Sequence, residues 1–268
     1  VNAPLWIELE GADNVRDVGG LPTLDGQRVQ PGRLLRSDSL QELTAGDVRH
    51  LVDDLHVRAV ADLRTGKEVS EDGPGPMTRE PSVRLEHHSL YPEVGISTDL
   101  TVADAAALGV HADDEPVLLP WQEGNGRHEV DDNEERRRGA ISVYLRYLND
   151  RSDSIVAALR LIAHSDGATI VHCAAGKDRT GVVVAMALRE VGVIPEAIAA
   201  DYACSAERID AVQRRLGKRP AYADDIAMSN PDRQRPRAAT MEKVLAAIDE
   251  LHGGVGTWLR THGWTDED

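Results

Sequence analysis

The chain has 268 residues, two cysteines, no phenylalanine and a formal net charge of −16. That length can bury a sizeable core in one α/β domain, and the acidic surplus argues against a nucleic-acid partner and against docking on anionic membranes. No stretch reaches the roughly 18 apolar residues of a membrane span, so no stable membrane insertion is expected.

Two cysteines make no disulfide framework and fit a reducing compartment. Residues 1–10 lack the basic segment and apolar run of a signal peptide, so the expectation is a cytoplasmic protein, or one exported without a recognisable signal. With no phenylalanine, the core must be built from Val, Leu, Ile and Ala.

In chain order, Thr44 to Leu55 reads as a helix, with Val48, Leu51, Val52 and Leu55 on one face and Thr44 and Asp47 as a capping pair. Val57 to Ala61 is a short strand ending at Asp62. Gly66 to Pro81 reads as a loop, because glycine and proline crowd Gly73 to Pro76. Val83 to Leu90 is a further strand. Its His87 and His88 point to opposite faces and cannot readily share a metal. Gly109 to Asn133 is acidic and Pro-interrupted, an excursion from the core that carries Trp121.

Helices follow near Glu134 to Leu148 and Ser152 to Ala163. Thr169 to Val171 is a β-branched strand, and Val182 to Leu188 is a buried helix. Pro195 suits a first helical turn. Ile198, Tyr202, Ile209, Val212 and Leu216 share one face of a continuous or broken helix. Met241, Val244, Leu245, Ile248 and Leu251 line an amphipathic helix ended by Gly253 and Gly254. The acidic tail after Trp264 is expected to fray. The βα order predicts an α/β fold, with a parallel or mixed central sheet flanked by helices.

Between the strand and the helix lies His172-Cys173-Ala174-Ala175-Gly176-Lys177-Asp178-Arg179-Thr180-Gly181. A thiol at the floor of a strand-to-helix loop faces inward backbone N–H groups and the positive end of a helix dipole. The field that holds a phosphate dianion also favours thiolate over thiol. Cys173 is therefore the candidate nucleophile, able to form a phosphocysteine. Arg179 offers a planar fork for two phosphate oxygens. The N–H groups from Ala174 through Ala175, Gly176, Lys177 and Asp178 to Arg179 complete the anion cradle. Gly176 allows the sharp turn and keeps a side chain off the phosphate. Thr180 is a candidate donor to the sulfur, and His172 a candidate brace for the loop; each has a purely structural alternative. Lys177 adds positive charge at the rim.

A nucleotide-binding loop is excluded, because Val171 and Asp178 stand where its first glycine and its Ser or Thr belong. A zinc site is excluded because Cys204 has no paired-ligand spacing with Cys173. No metal and no cofactor are expected. Three rivals remain: the same mechanism acting on a nucleotide or metabolite phosphate, a phosphate-binding pseudoenzyme, and sulfur or arsenate redox chemistry using Cys204.

Cys-x5-Arg-Thr after His resembles the signature of the cysteine-dependent protein tyrosine phosphatase superfamily. The fuller ten-residue form resembles the bacterial branch that includes mycobacterial tyrosine phosphatase B. Asn14-Val-Arg-Asp-Val-Gly-Gly20, Gly32-Arg-Leu-Leu-Arg-Ser37 and Asp62-Leu-Arg64 resemble further motifs of that branch, in the same order.

The resemblance implies phosphotyrosine hydrolysis, with phosphoserine, phosphothreonine or phosphoinositides also accepted, and no metal. It implies one phosphatase domain over residues 1–268, whose helical lid after the catalytic helix matches roughly Ala206 to Ala239. The proton donor of many relatives sits on a loop beside Trp and Pro, but Pro120-Trp121 lacks the following Asp. The branch points instead to Asp178, which neighbours Arg179. Asp62 is the second candidate acid, with the alternative role of holding Arg179 or Arg64, which ranks above acid catalysis.

Overall fold

A computed structural model describes residues 3–92, 133–228 and 234–268. The strands are β1 (Leu5–Trp6), β2 (Arg16–Asp17), β3 (Leu34–Ser37), β4 (Val57–Asp62), β5 (Arg84–His87) and β6 (Ala168–His172). The helices before β6 are α1 (Ala45–Arg49), α2 (Gly66–Asp72), α3 (Asn133–Asp150) and α4 (Ser152–His164). After it come α5 (Asp178–Glu190), α6 (Pro195–Cys204), α7 (Ile209–Leu216), α8 (Ala223–Met228), α9 (Ala238–His252) and α10 (Val255–Thr261).

The sheet order is β1-β2-β3-β6-β4-β5. β3, β6, β4 and β5 run parallel, and β2 and β1 add an antiparallel edge. Of the expected alternatives, parallel or mixed, the sheet is mixed. Ser37, His172, Asp62 and His87 lie in register across the four parallel strands. Their carboxyl ends therefore open onto one edge, where open α/β sheets place their sites.

Helices cover both faces. Ala59, Ala61 and Val171 pack into the larger core with residues of α3 to α6, α9 and α10. Val57, Val60 and Ile170 pack into a second core with α1. Strand residues alternate between faces, and Val57 joins Val60 on one face only because the register shifts between Val57 and Ala59. The α1 cap is a full capping box: the Thr44 hydroxyl accepts from Asp47 N, and the Asp47 carboxylate accepts from Thr44 N.

Three expectations need correction. Gly66 to Pro81 is not simply a loop, because α2 fills its first half and a 3₁₀ turn spans Pro76–Arg79. The signal was Thr65-x-x-Glu68, a second reciprocal capping box that starts α2. Leu251 is 64% exposed and stands outside the buried face of α9. The tail is tied down: Arg160 Nε donates to Asp268 Oδ1 at 2.9 Å, and Thr265 N to Asp268 Oδ2 at 2.9 Å.

Other boundaries agree to within a few residues. The face from Ile198 to Leu216 is buried as expected but broken by a 3₁₀ turn at Ser205–Glu207. His87 Nε2 meets the Arg64 carbonyl and His88 Nε2 meets Glu86 Oε2, so the two imidazoles turn to different partners. The excursion at 109–133, apart from Asn133 at the start of α3, lies outside the described residues.

Candidate active site

The loop from His172 to Arg179 joins β6 to α5. Cys173 is 2% exposed, and Arg179, in the first turn of α5, is 1% exposed. The Cys173 sulfur lies within electrostatic reach of both the Arg179 and the Arg36 guanidiniums.

Three consecutive carbonyls of this loop are held from one side. Ser39 N donates to Ala174 O at 2.9 Å. Asn14 Nδ2 donates to Ala175 O at 3.0 Å, and Arg36 Nη2 to Gly176 O at 2.9 Å. In a planar trans peptide the C=O and the following N–H point in opposite directions. The N–H groups of Ala175, Gly176 and Lys177 are therefore turned to the other side of the loop, as an anion cradle requires.

Gly176 has φ +65°, and a Cβ there would come within 2.5 Å of the Ser37 carbonyl carbon and oxygen. The obstacle to a side chain is the end of β3, so the glycine is needed for packing behind the loop as well as for its turn.

Behind the loop, Asp201 on α6 joins two buried arginines. Its Oδ1 accepts from Arg16 Nε at 2.8 Å, and its Oδ2 from Arg36 Nη1 at 2.5 Å. Burial opposes the charge, but the Arg16 and Arg36 guanidiniums hold the Asp201 carboxyl below the usual range. Arg16 Nη1 also donates to Asn14 Oδ1 at 2.7 Å, which aims the Asn14 amide at the loop. Asn14, Arg16 and Arg36 thus form a scaffold for the loop's backbone. Asp38, at the end of β3, accepts from Asp13 N and Asn14 N, and burial pushes its carboxyl up to about 7.

Arg179 is held by Glu68, which sequence reasoning missed. Nη1 donates to Glu68 Oε2 at 2.6 Å and Nη2 to Oε1 at 2.8 Å. Burial works against both charges, but their mutual attraction outweighs it: the Glu68 carboxyl is lowered and the Arg179 guanidinium is held firmly cationic. The guanidinium also lies 5.9 Å from the centre of the Tyr91 ring.

Asp62 instead holds Arg64. Its Oδ1 accepts from Arg64 N and Nε, and its Oδ2 accepts from Nη2 at 2.6 Å. Burial opposes this charge, but His172 and Arg64 outweigh it and keep the carboxyl well below the usual range. That environment suits an anchor rather than a proton donor. His172 reaches the Cys173 carbonyl through Nδ1 at 3.3 Å and faces Asp62 Oδ1 through Nε2 at 3.6 Å. Burial pushes its ring below the ordinary value.

Asp178 opens α5 and is partly exposed. The Tyr144 hydroxyl donates to its Oδ1, and Lys177 Nζ lies 3.4 Å from its Oδ2. Lys177, expected at the rim, is buried, and its Nζ donates to the Gln234 carbonyl at 3.0 Å and to Gln234 Oε1 at 2.9 Å. The Thr180 hydroxyl is buried and, among the described residues, has no hydrogen-bond partner, the Cys173 sulfur included. Cys204 Sγ donates to the Ala200 carbonyl, and both cysteines are free thiols.

α7 and α8 pack on the loop. Val212, Leu216 and Tyr222 cluster with Ala174, with Ala175 and Ile226 against them. The chamber between these helices and the loop has only about 40 Å³, and Lys177, Asp178, Gln213 and Gln234 share its walls. At roughly 10–15 Å³ per water, that admits a few waters and no aryl phosphate.

A sequence profile of the tyrosine phosphatase family matches residues 7–268. The triple specificity protein phosphatase PtpB of Mycobacterium tuberculosis is 30% identical over 276 residues, covering 96% of this chain and 93% of that protein. A tyrosine-protein phosphatase of Nostoc commune is 32% identical over 114 residues, covering 41% of this chain and 39% of that one. Among the described residues, no helix is long and apolar enough to cross a membrane.

Proposed function

The chain belongs to the tyrosine phosphatase family and is a protein phosphatase, and from that premise we propose how its residues divide the work and which substrates it takes. The Cys173 thiolate attacks phosphorus in line. A P–S bond forms as the bond to the leaving oxygen breaks, and Asp178 gives that oxygen a proton. Water then attacks the phosphocysteine, Asp178 takes a proton from it, and the P–S bond breaks to release phosphate and the thiolate.

The observation that carries this reading is the outward anchoring of three loop carbonyls, which turns the paired amides onto a buried cysteine beside a buried arginine. Arg179 gives its terminal edge to Glu68. We assign the Arg179 guanidinium, so oriented, to two phosphoryl oxygens. Asp62 holds Arg64 and His172 holds the Cys173 carbonyl, and neither reacts.

The substrate class is phosphotyrosine, with phosphoserine, phosphothreonine or phosphoinositides also taken. The apolar walls supplied by Val212, Leu216, Tyr222 and Ile226 suit an aryl ring. With Val212, Leu216 and Tyr222 packed on Ala174, the segment at about 206–239 acts as a lid that must lift before substrate enters. A free thiol nucleophile fits a reducing compartment.

Cys173→Ser tests the mechanism. Turnover of p-nitrophenyl phosphate and of a phosphotyrosine peptide falls to background while inorganic phosphate still binds; persistent hydrolysis would discard the nucleophile. A panel of phosphopeptides, inositol phosphates and nucleotides tests the substrate class, and preference for a nucleotide would move it to small molecules.

A further inference from the structure

Resting on the assignment of Asp178 as proton donor, we propose that Tyr144 and Tyr202 are positioning residues that fix which oxygen of Asp178 delivers the proton. Tyr144 projects from α3, and its hydroxyl donates to Asp178 Oδ1. The Tyr202 hydroxyl, on α6, lies 2.8 Å from that of Tyr144. A phenol has one proton to give. Since Tyr144 gives its proton to the carboxylate, its oxygen accepts from Tyr202. The result is a directed chain from Tyr202 through Tyr144 to Asp178.

The chain is built to persist. Burial and the nearby Asp178 charge push the Tyr144 phenol far above its ordinary value, so it stays a donor across the working pH range. Its ring stacks on Tyr147 with centroids 6.1 Å apart and meets Tyr202 edge-on at 6.4 Å. A Cβ on Gly181 would come within 2.8 Å of the Tyr202 ring, so the glycine that follows Arg179-Thr180 admits that ring beside α5.

The consequence is an asymmetry between the carboxylate oxygens. Oδ1 already receives the Tyr144 proton, so a proton carried by Asp178 sits on Oδ2. Without Tyr144 the anchor on Oδ1 is gone and Oδ2 is left facing Lys177 Nζ at 3.4 Å, so the acid loses its orientation toward the leaving oxygen. α6 carries both Tyr202 and Asp201, so one helix positions the acid and also clamps the arginines behind the loop.

The test compares Tyr144→Phe, Tyr202→Phe, Asp178→Asn and Tyr144→Phe/Asp178→Asn on phenyl phosphate, a poor leaving group, and p-nitrophenyl phosphate, a good one. Thermal melts establish that each variant folds. Tyr144→Phe is expected to lower kcat on phenyl phosphate by about 10- to 100-fold, with a smaller loss on p-nitrophenyl phosphate and KM unchanged. Tyr202→Phe shows the same pattern, more weakly, and remains decisive if Tyr144→Phe does not fold. In the Asp178→Asn background, Tyr144→Phe adds nothing, because its effect passes through the carboxylate. An additive loss, or an equal loss on both substrates while Asp178→Asn stays selective for the poor one, overturns the positioning role alone. If Asp178→Asn itself is unselective, the acid assignment falls, and this inference falls with it.

Discussion

Glu68 grips both terminal nitrogens of Arg179, at 2.6 and 2.8 Å, across the gap between α2 and α5. The pair is almost wholly buried, and the two residues lie 111 positions apart in the chain. Removing one partner of such a pair costs about 3–5 kcal/mol, because the remaining charge stays buried. Glu68→Ala should therefore lower the melting temperature by roughly 10 °C and cut kcat at least about tenfold as the fork loses its orientation. Glu68→Gln, which keeps the shape and one acceptor, should fall between. Near-wild-type melting and rate in the alanine variant would show that the fork is oriented by something else.

Gly176→Ala should combine a strained left-handed backbone, about 1–3 kcal/mol, with a collision against the Ser37 carbonyl. The loop must move to relieve the collision, so phosphate affinity should drop together with stability. Gly26→Ala is the control: it has φ +82° and open space around its Cβ. It should cost on the order of 1 kcal/mol and leave kinetics alone. Isothermal titration with phosphate separates the two; equal affinities would remove the packing argument.

Asp38 supplies a pH dependence. Burial raises its carboxyl from 3.8 to about 7 in the folded chain. Between those values the folded state holds a proton that the unfolded state has lost. The contribution is therefore complete below 3.8 and declines as pH rises through about 7. Asp13 and Arg215 are the charged groups that face it. Asp38→Asn keeps an acceptor for the Asp13 and Asn14 amides but cannot titrate. Its melting temperature, followed from pH 4 to 8, should fall less with rising pH than that of the wild type; parallel curves would assign the slope to other groups.

The proposed lid is held down by ion pairs. Arg219 Nε lies 2.9 Å from the buried Asp72 Oδ1, and Arg215 Nε lies 2.8 Å from Asp13 Oδ2. Exposed pairs contribute little and are screened by salt, so the contact with buried Asp72 should matter most. Arg219→Gln should speed amide hydrogen exchange in α7 and α8 by roughly 5-fold, on the order of 1 kcal/mol of local opening. It should also raise kcat/KM for a phosphopeptide more than for p-nitrophenyl phosphate. Unchanged exchange would mean that the segment is not latched there.

The α2 segment shows how a correct local signal can be overruled in reading. Glycine and proline at Gly73 to Pro76 mark a real chain reversal, yet Thr65 and Glu68 form a capping box that starts a helix just before it. The same Glu68 then serves Arg179, a second role that helix periodicity does not encode. The sequence leaves Asp62 between Arg179 and Arg64, and the structure gives it to Arg64. The motif residues Asn14, Arg16 and Arg36 were visible in order along the chain, but their common purpose, holding loop carbonyls, appears only once β2, β3 and β6 are side by side.

An α/β fold with a parallel or mixed sheet, most of the helices and the candidate reactive loop were legible in the residues alone. Those rest on short-range regularities: residue spacing within an element, and a thiol, a glycine and a guanidinium within seven consecutive positions. What orients them comes from long-range packing. Glu68 on Arg179, Asn14 on Ala175 and Tyr144 on Asp178 join residues 111, 161 and 34 positions apart. Such contacts are set by how strands and helices pack, and no local periodicity carries them.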